Sequence, residues 1–279
     1  MEYHMIGVVG AGTMGAGIAV SLTAVGEEVI LIEANPERRQ TAIDDVRHSL
    51  ERLAKKDPNL DVESALGRVS SGEAVGDTAG CTIVIEAVPE NLELKQTIFA
   101  ELEHVHGSDV MLASNTSSLS ISKIADGLSH PERVVGAHFF NPVPVSALVE
   151  IVVGDKTSEQ TTARAQSLVD TLGKTPIVVS DSPGFASSRL GLCLGLEAIR
   201  MLEEGVASAT DIDTAMELGY RHPMGPLKLT DLVGLDVRLA IARHLESELG
   251  ERFSPPQLLI DMVEDGKLGK KVGQGFYSW

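Results

Sequence analysis

The chain has 279 residues, 43% of them hydrophobic and 23% charged, with a formal net charge of −17. Length and composition fit a soluble globular protein of one or two domains with a proper core. The acidic balance argues against nucleic acid or an anionic membrane surface as the main partner, while a local Lys/Arg cluster could still take a small anionic ligand.

In chain order, MIGVV at residues 5–9 is a short apolar run that leads at once into GAGTMG and the apolar stretch AGIAVSLTAVG. That pattern predicts strand, tight turn and helix. A second strand, EVILIE, closes at Glu33, and an amphipathic helical region follows from Pro36 to about Lys56. Further strands are expected at LGRVS, CTIVIEAV, DVMLAS and RVVGAHFF, separated by helical spacing such as ENLELKQTIFAELEHV. ALVEIVVG and TPIVVS then flank the helix SEQTTARAQSLVDTLG. Strands alternating with helices imply an α/β fold, a Rossmann-type doubly wound and mostly parallel sheet. After Pro183-Gly184 every segment carries helical periodicity, from FASSRLGLCLGLEAIRMLEEG through TDLVGLDVRLAIARHLESEL to PPQLLIDMVEDG. The expected domains are therefore 1–183, dinucleotide-binding, and 184–279, all-helical.

The first strand starts within a few residues of Met1, which leaves no room for a targeting peptide, and the longest apolar runs are only strand-sized. Cys81 and Cys193 stand far apart in apolar contexts and read as core thiols of a reducing compartment rather than as a disulfide. No Cys/His spacing suggests a metal. A cytoplasmic protein is expected.

Gly10, Gly12 and Gly15 form GxGxxG directly between a strand and a helix. In that setting the first glycine makes the turn, the second admits a pyrophosphate close to the backbone, and the third lets helix pack on strand. The pyrophosphate would lie on the helix N-terminus. Glu33, at the end of the second strand, is placed to bind the ribose hydroxyls and would repel a 2′-phosphate, which favours NAD. Arg38 and Arg39 nearby leave NADP open.

A hydride enzyme acting on an alcohol also needs a base. In GAHFFNPVPVSALVEIVVG, residues 136–154, His138 and Glu150 are the only ionisable groups. His138 should end a strand, on the side where open α/β sheets bind ligands. Glu150 lies in an otherwise apolar strand, where an unpaired carboxylate is costly. If the two strands neighbour each other, the carboxylate would orient the imidazole and stabilise its charged form. The plainer alternative is a structural Glu beside an ordinary surface His.

These stretches resemble the L-3-hydroxyacyl-CoA dehydrogenase family nearly end to end, most closely its short form acting on 3-hydroxybutyryl-CoA. The resemblance is carried by GAGTMGAGIA, IEAVPENLELK, SNTSSLSI, HFFNPVP with the following VEIV, SPGF, HPMGPLKLTDLVGLD and LGKKVGQGFYSW. It implies that His138 is the general base and Glu150 its orienting partner. Ser117 and Asn141 would contact the reacting groups and the substrate. Thr13, Met14, Glu90, Lys95 and Asn115 would join the glycines and Glu33 around NAD, and Lys95 could also meet the anionic end of CoA; its plainer alternative is a solvated helix charge. Residue by residue, Ser188 falls where the family usually carries Asn after PGF, so substrate contact through it departs from the pattern. The helical domain would form one wall of the acyl pocket and make a homodimer. Two rival readings are a relative oxidising a small free hydroxy acid and a non-catalytic dinucleotide-binding protein. A type with a catalytic lysine in the helical domain is disfavoured, because no lysine occurs between Lys174 and Lys228.

Overall fold

The structure, a computed structural model, describes residues 5–279. Its contacts divide the chain into two units, one ending at Ser182 and the other running Pro183–Trp279.

The first unit runs β1 (Ile6–Val9), α1 (Thr13–Ala24), β2 (Val29–Ile32), α2 (Pro36–Ala54), α3 (Val62–Leu66), β3 (Val69–Gly72), β4 (Ile83–Glu86) and α4 (Leu92–His106). It continues with β5 (Met111–Ser114), α5 (Ile121–Ile124), β6 (Val134–Phe139), β7 (Leu148–Val153), α6 (Glu159–Thr171) and β8 (Thr175–Ser180). The strands form one sheet in the order β3-β2-β1-β4-β5-β6-β7-β8. Neighbours are parallel except β6 and β7, which run antiparallel. The expected doubly wound sheet is present, with this one reversal.

β1, β4, β5 and β6 are buried along their whole length. Covered on both faces, they read as continuous apolar runs rather than alternating ones. α1 is buried from Gly15 to Thr23, and its Ser21 and Thr23 hydroxyls donate back to the carbonyls of Gly17 and Ala19. α2 starts where it does because Asn35 Oδ1 accepts from the Glu37 and Arg38 N–H groups at 2.9 and 3.0 Å, with Pro36 in the first turn. β2 and β3 lie on one side of β1, and β4 and its successors on the other. At such a switch the loops leaving the strand ends part and open a crevice.

The second unit contains α7 (Ser187–Glu203), α8 (Ala209–Thr214), α9 (Pro226–Val233), α10 (Leu235–Leu249) and α11 (Gln257–Glu264). Gly234, at φ 106°, separates α9 from α10 inside a stretch whose periodicity is helical throughout. Leu192, Leu196, Leu235, Leu239, Leu245 and Phe253 are at the centre of its core. Two carboxylates tie down the C-terminal tail. Asp231, fully buried, accepts from the Phe276 and Tyr277 N–H groups at 2.8 and 2.9 Å and from Trp279 Nε1 at 2.9 Å. Asp213 accepts from Leu227 and Lys228 N–H and from the Tyr277 hydroxyl at 2.8 Å.

One expectation is corrected here. Cys81 is a core thiol, pushed up to about 11 by burial, but Cys193 is exposed. Leu190, Cys193, Leu194 and Glu197 share one face of α7 at helical spacing, and that face is turned outward. An apolar sequence context therefore does not bury Cys193. Among the described residues no helix is long and apolar enough to cross a membrane, and no cluster of side chains could hold a metal ion.

Candidate active site

The glycine turn lies at the sheet's switch point. Gly10 has φ 102°, and a Cβ there would stand 2.8 Å from the Ala87 carbonyl oxygen at the end of β4. A Cβ on Gly15 would fall 1.8 Å from the Gly10 carbonyl oxygen, so any side chain would force α1 off β1. Gly12 is the opposite case, with nothing within 4 Å of the Cβ position. It is also the N-cap of α1, which no side chain caps. Open space over uncapped N–H groups suits a pyrophosphate. The Glu33 carboxylate accepts from Ala11 N–H at 3.3 Å and Asn35 N–H at 3.0 Å, which holds it beside the turn. Gly10, Gly12, Thr13, Met14, Glu33 and Val88 share the wall of a cleft of about 730 Å³. Arg39 donates to the Glu33 carbonyl at 2.8 Å and pairs with Glu73 at 2.9 Å, while Arg38 pairs with Asp45 at 3.1 Å. Both arginines are thus engaged, and the residues present fit a dinucleotide with a free ribose diol.

His138 and Glu150 are directly opposite in the antiparallel register of β6 and β7. Directly opposed residues project from the same face of a sheet. Nδ1 and Oε2 lie 2.7 Å apart, with Glu150 fully buried and His138 nearly so. An ionised carboxylate can only accept, so Nδ1 carries the hydrogen and Nε2 is the ring's basic atom. Phe140 packs on the imidazole, with ring centroids 4.4 Å apart.

A second network joins the loops after β4 and β5. Glu86 is fully buried and accepts from Lys95 Nζ at 2.6 Å, Ser114 Oγ at 2.6 Å and Val88 N–H at 2.7 Å. Glu90 accepts from Thr116 Oγ1 at 2.6 Å, Ser117 N–H at 3.0 Å and Ser118 N–H at 3.2 Å, and Lys95 Nζ lies 3.5 Å from its other oxygen. Burial pushes the Glu90 carboxyl up, but the Thr116 hydroxyl, the Lys95 charge and the Ser117 N–H outweigh it and hold it below its ordinary value. Asn115 Oδ1 accepts from Phe139 N–H at 2.9 Å, which fastens the same loop beside His138.

Within the first unit the structure therefore brings Ser117 to Glu90, Asn115 to the strand of His138, and Lys95 to Glu86. Asn141 is exposed, just after β6, and precedes Pro142 through a cis peptide bond. Ser188 lies in the first turn of α7, in the second unit. Lys95 requires a correction: it is neither a solvated helix charge nor offered to the anionic end of CoA. Its side chain is fully buried because Glu86, a carboxylate inside the sheet, needs a counter-charge. Sequence reasoning passed over Glu86, Ser114 and Thr116. A signal for Glu86 was there, since it is a carboxylate in an apolar strand, the same oddity that singled out Glu150.

The chain matches the family model described as 3-hydroxyacyl-CoA dehydrogenase, NAD binding domain, over residues 5–182, and that of the C-terminal domain over 184–279. It is 44% identical over 279 residues to a 3-hydroxybutyryl-CoA dehydrogenase of Mycobacterium tuberculosis, covering 98% of each chain. To one of Clostridioides difficile it is 40% identical over 281 residues, covering 98% of this chain and 99% of that one. The crystal structure of (S)-3-hydroxybutyryl-CoA dehydrogenase from Ralstonia eutropha superposes with a TM-score of 0.95 at 42% identity, covering 100% of this chain and 99% of the other. A dinucleotide cleft at the switch point, two matched domain models and relatives similar over their full length lead to one assignment: the chain belongs to the 3-hydroxyacyl-CoA dehydrogenase family, whose cofactor is NAD.

Proposed function

We propose that the chain oxidises short L-3-hydroxyacyl-CoA thioesters, such as 3-hydroxybutyryl-CoA, to 3-ketoacyl-CoA with NAD, and catalyses the reverse reduction as well. The observation that carries this reading is the 2.7 Å contact between His138 Nδ1 and Glu150 Oε2. Bound NAD supplies the acceptor for the hydrogen on C3. His138 takes the hydroxyl proton at Nε2, and Glu150 fixes the ring's orientation and supports the imidazolium that results. Ser117 and Asn141 contact the hydroxyl and the thioester carbonyl, while Gly10 to Gly15, Glu33 and Asn115 seat the cofactor. Glu90 and Lys95 hold the loop that faces it.

The domains divide as 1–183 for the cofactor and 184–279 for substrate and dimerisation, with Ser188 as a substrate contact. A homodimer through the helical unit is supported by its exposed apolar side chains, among them Leu190, Leu194, Leu218 and Tyr220. Static light scattering at twice the chain mass is the expected result. The site of action is the cytoplasm. Steady-state turnover of acetoacetyl-CoA with NADH tests the activity: if none is detectable while a free hydroxy acid is oxidised, the substrate assignment fails.

A further inference from the structure

Glu86 ends β4 at the switch point of the sheet and is fully buried. Its register partners are Val9, the last residue of β1 before the glycine turn, and Ser114, the last residue of β5. The backbone that follows belongs to the cleft. Ala87 N–H donates to the Val9 carbonyl at 2.7 Å, and Val88, whose N–H donates to Glu86, lines the cleft wall.

Lys95 is shared between two acids. Its Nζ lies 2.6 Å from Glu86 Oε1 and 3.5 Å from Glu90 Oε2, and among the described residues no other cation pairs with either carboxylate. Two carboxylates around one ammonium leave one negative charge in excess. Neutralising Glu86 alone would require no second acid. Glu90 is nevertheless kept ionised: against the effect of burial, the Thr116 hydroxyl, the Lys95 charge and the Ser117 N–H hold it below the ordinary carboxylate value.

The reaction decides what this charge faces. The pyrophosphate belongs on the glycine turn after β1, and Glu33 draws the adenosine half toward β2, on one side of that turn. The substrate hydroxyl must meet His138 on β6, on the other side. The nicotinamide half is thus left with the ends of β4 and β5, which carry the loops of Glu90 and Ser117.

We propose that the group Glu86, Lys95 and Glu90 biases the cleft toward the oxidised cofactor, because its excess negative charge attracts the cationic nicotinamide ring of NAD and not the neutral ring of NADH. Glu86 is a positioning residue in this scheme. It holds Lys95, and without its charge the ammonium would cancel Glu90 and the excess would vanish. The inference rests on the dehydrogenase reading, which is what sends the nicotinamide to this end of the cleft. Charges beside a partly closed cleft are screened less than in water, so one charge more or less changes affinity several-fold.

Glu86→Gln removes the charge and keeps the contacts. The amide oxygen can accept from Lys95 and Val88, and the amide nitrogen can donate to the Ser114 hydroxyl. Calorimetric titration without any acyl-CoA gives Kd for NAD and for NADH. Their ratio, NAD over NADH, is expected to rise about 5-fold or more in Glu86→Gln, chiefly through weaker binding of NAD. The double variant Lys95→Met, Glu86→Gln restores one negative charge, on Glu90, and should return the ratio toward its native value. An unmoved ratio in Glu86→Gln, equal losses for both cofactor forms, or a shift that the double variant keeps overturns the inference. Should Glu86→Gln fail to fold, the double variant and Glu90→Gln decide, the first expected near the native ratio and the second above it. Normal turnover of acetoacetyl-CoA with an unmoved ratio sinks only this inference, whereas absent turnover in the native chain sinks the dehydrogenase reading whatever the ratio does.

Discussion

His138 and Glu150 face each other across the one antiparallel pair of the sheet, with Nδ1 and Oε2 2.7 Å apart. The reversal between β6 and β7 brings a histidine at the end of one strand beside a carboxylate near the start of the next. His138→Gln is expected to keep NADH binding and lose turnover by about 10²–10⁴-fold, the range for removal of a general base. Full turnover in that variant would take His138 out of the mechanism. Glu150→Gln withdraws the charge that orients the ring and supports the imidazolium, so kcat for acetoacetyl-CoA reduction should fall by about 10-fold or more with NADH binding kept. An unchanged kcat contradicts the pairing.

Lys95 and Glu86 form a fully buried ion pair. Lys95→Met removes the cation and leaves the carboxylate uncompensated, which should cost about 3–5 kcal/mol of stability. In urea denaturation the double variant Lys95→Met, Glu86→Gln should recover part of that loss. A double variant less stable than the sum of the single changes would show that the pair is not the coupled unit described.

Glu90 sets an acid limit. Its folded-state pKa is held below the ordinary value of 4.5, so it stabilises the chain fully above that value, and the contribution disappears as pH falls through the depressed one. The stability difference between the native chain and Glu90→Gln should be constant above about pH 5.5 and shrink below the ordinary glutamate range. A difference that grows on acidification would mean the sign is wrong.

Asp231 anchors the C-terminal tail through three donors. Asp231→Ala should cost about 3 kcal/mol or more and expose the last residues to carboxypeptidase, since hydrogen bonds to a charged acceptor are each worth about 1.5–3 kcal/mol. Tyr277→Phe removes one bond to Asp213 and should cost about 1 kcal/mol, with the tail still protected. Equal trimming of both variants would place the anchor elsewhere.

Much of this was legible in the chain. A strand, a glycine turn, a helix and an acid at the end of the next strand are local features, and their spacing determined the dinucleotide cleft before any contact was known. The same holds for His138 and Glu150 as the only charges in residues 136–154. Tertiary structure decided which strand lies beside which, because apolar runs report burial and leave the choice of neighbour open. It alone gave β6 and β7 their antiparallel register, buried Lys95 against Glu86 and turned Cys193 outward. Each of these depends on what arrives from a distant part of the chain, and periodicity along a single element carries no trace of it.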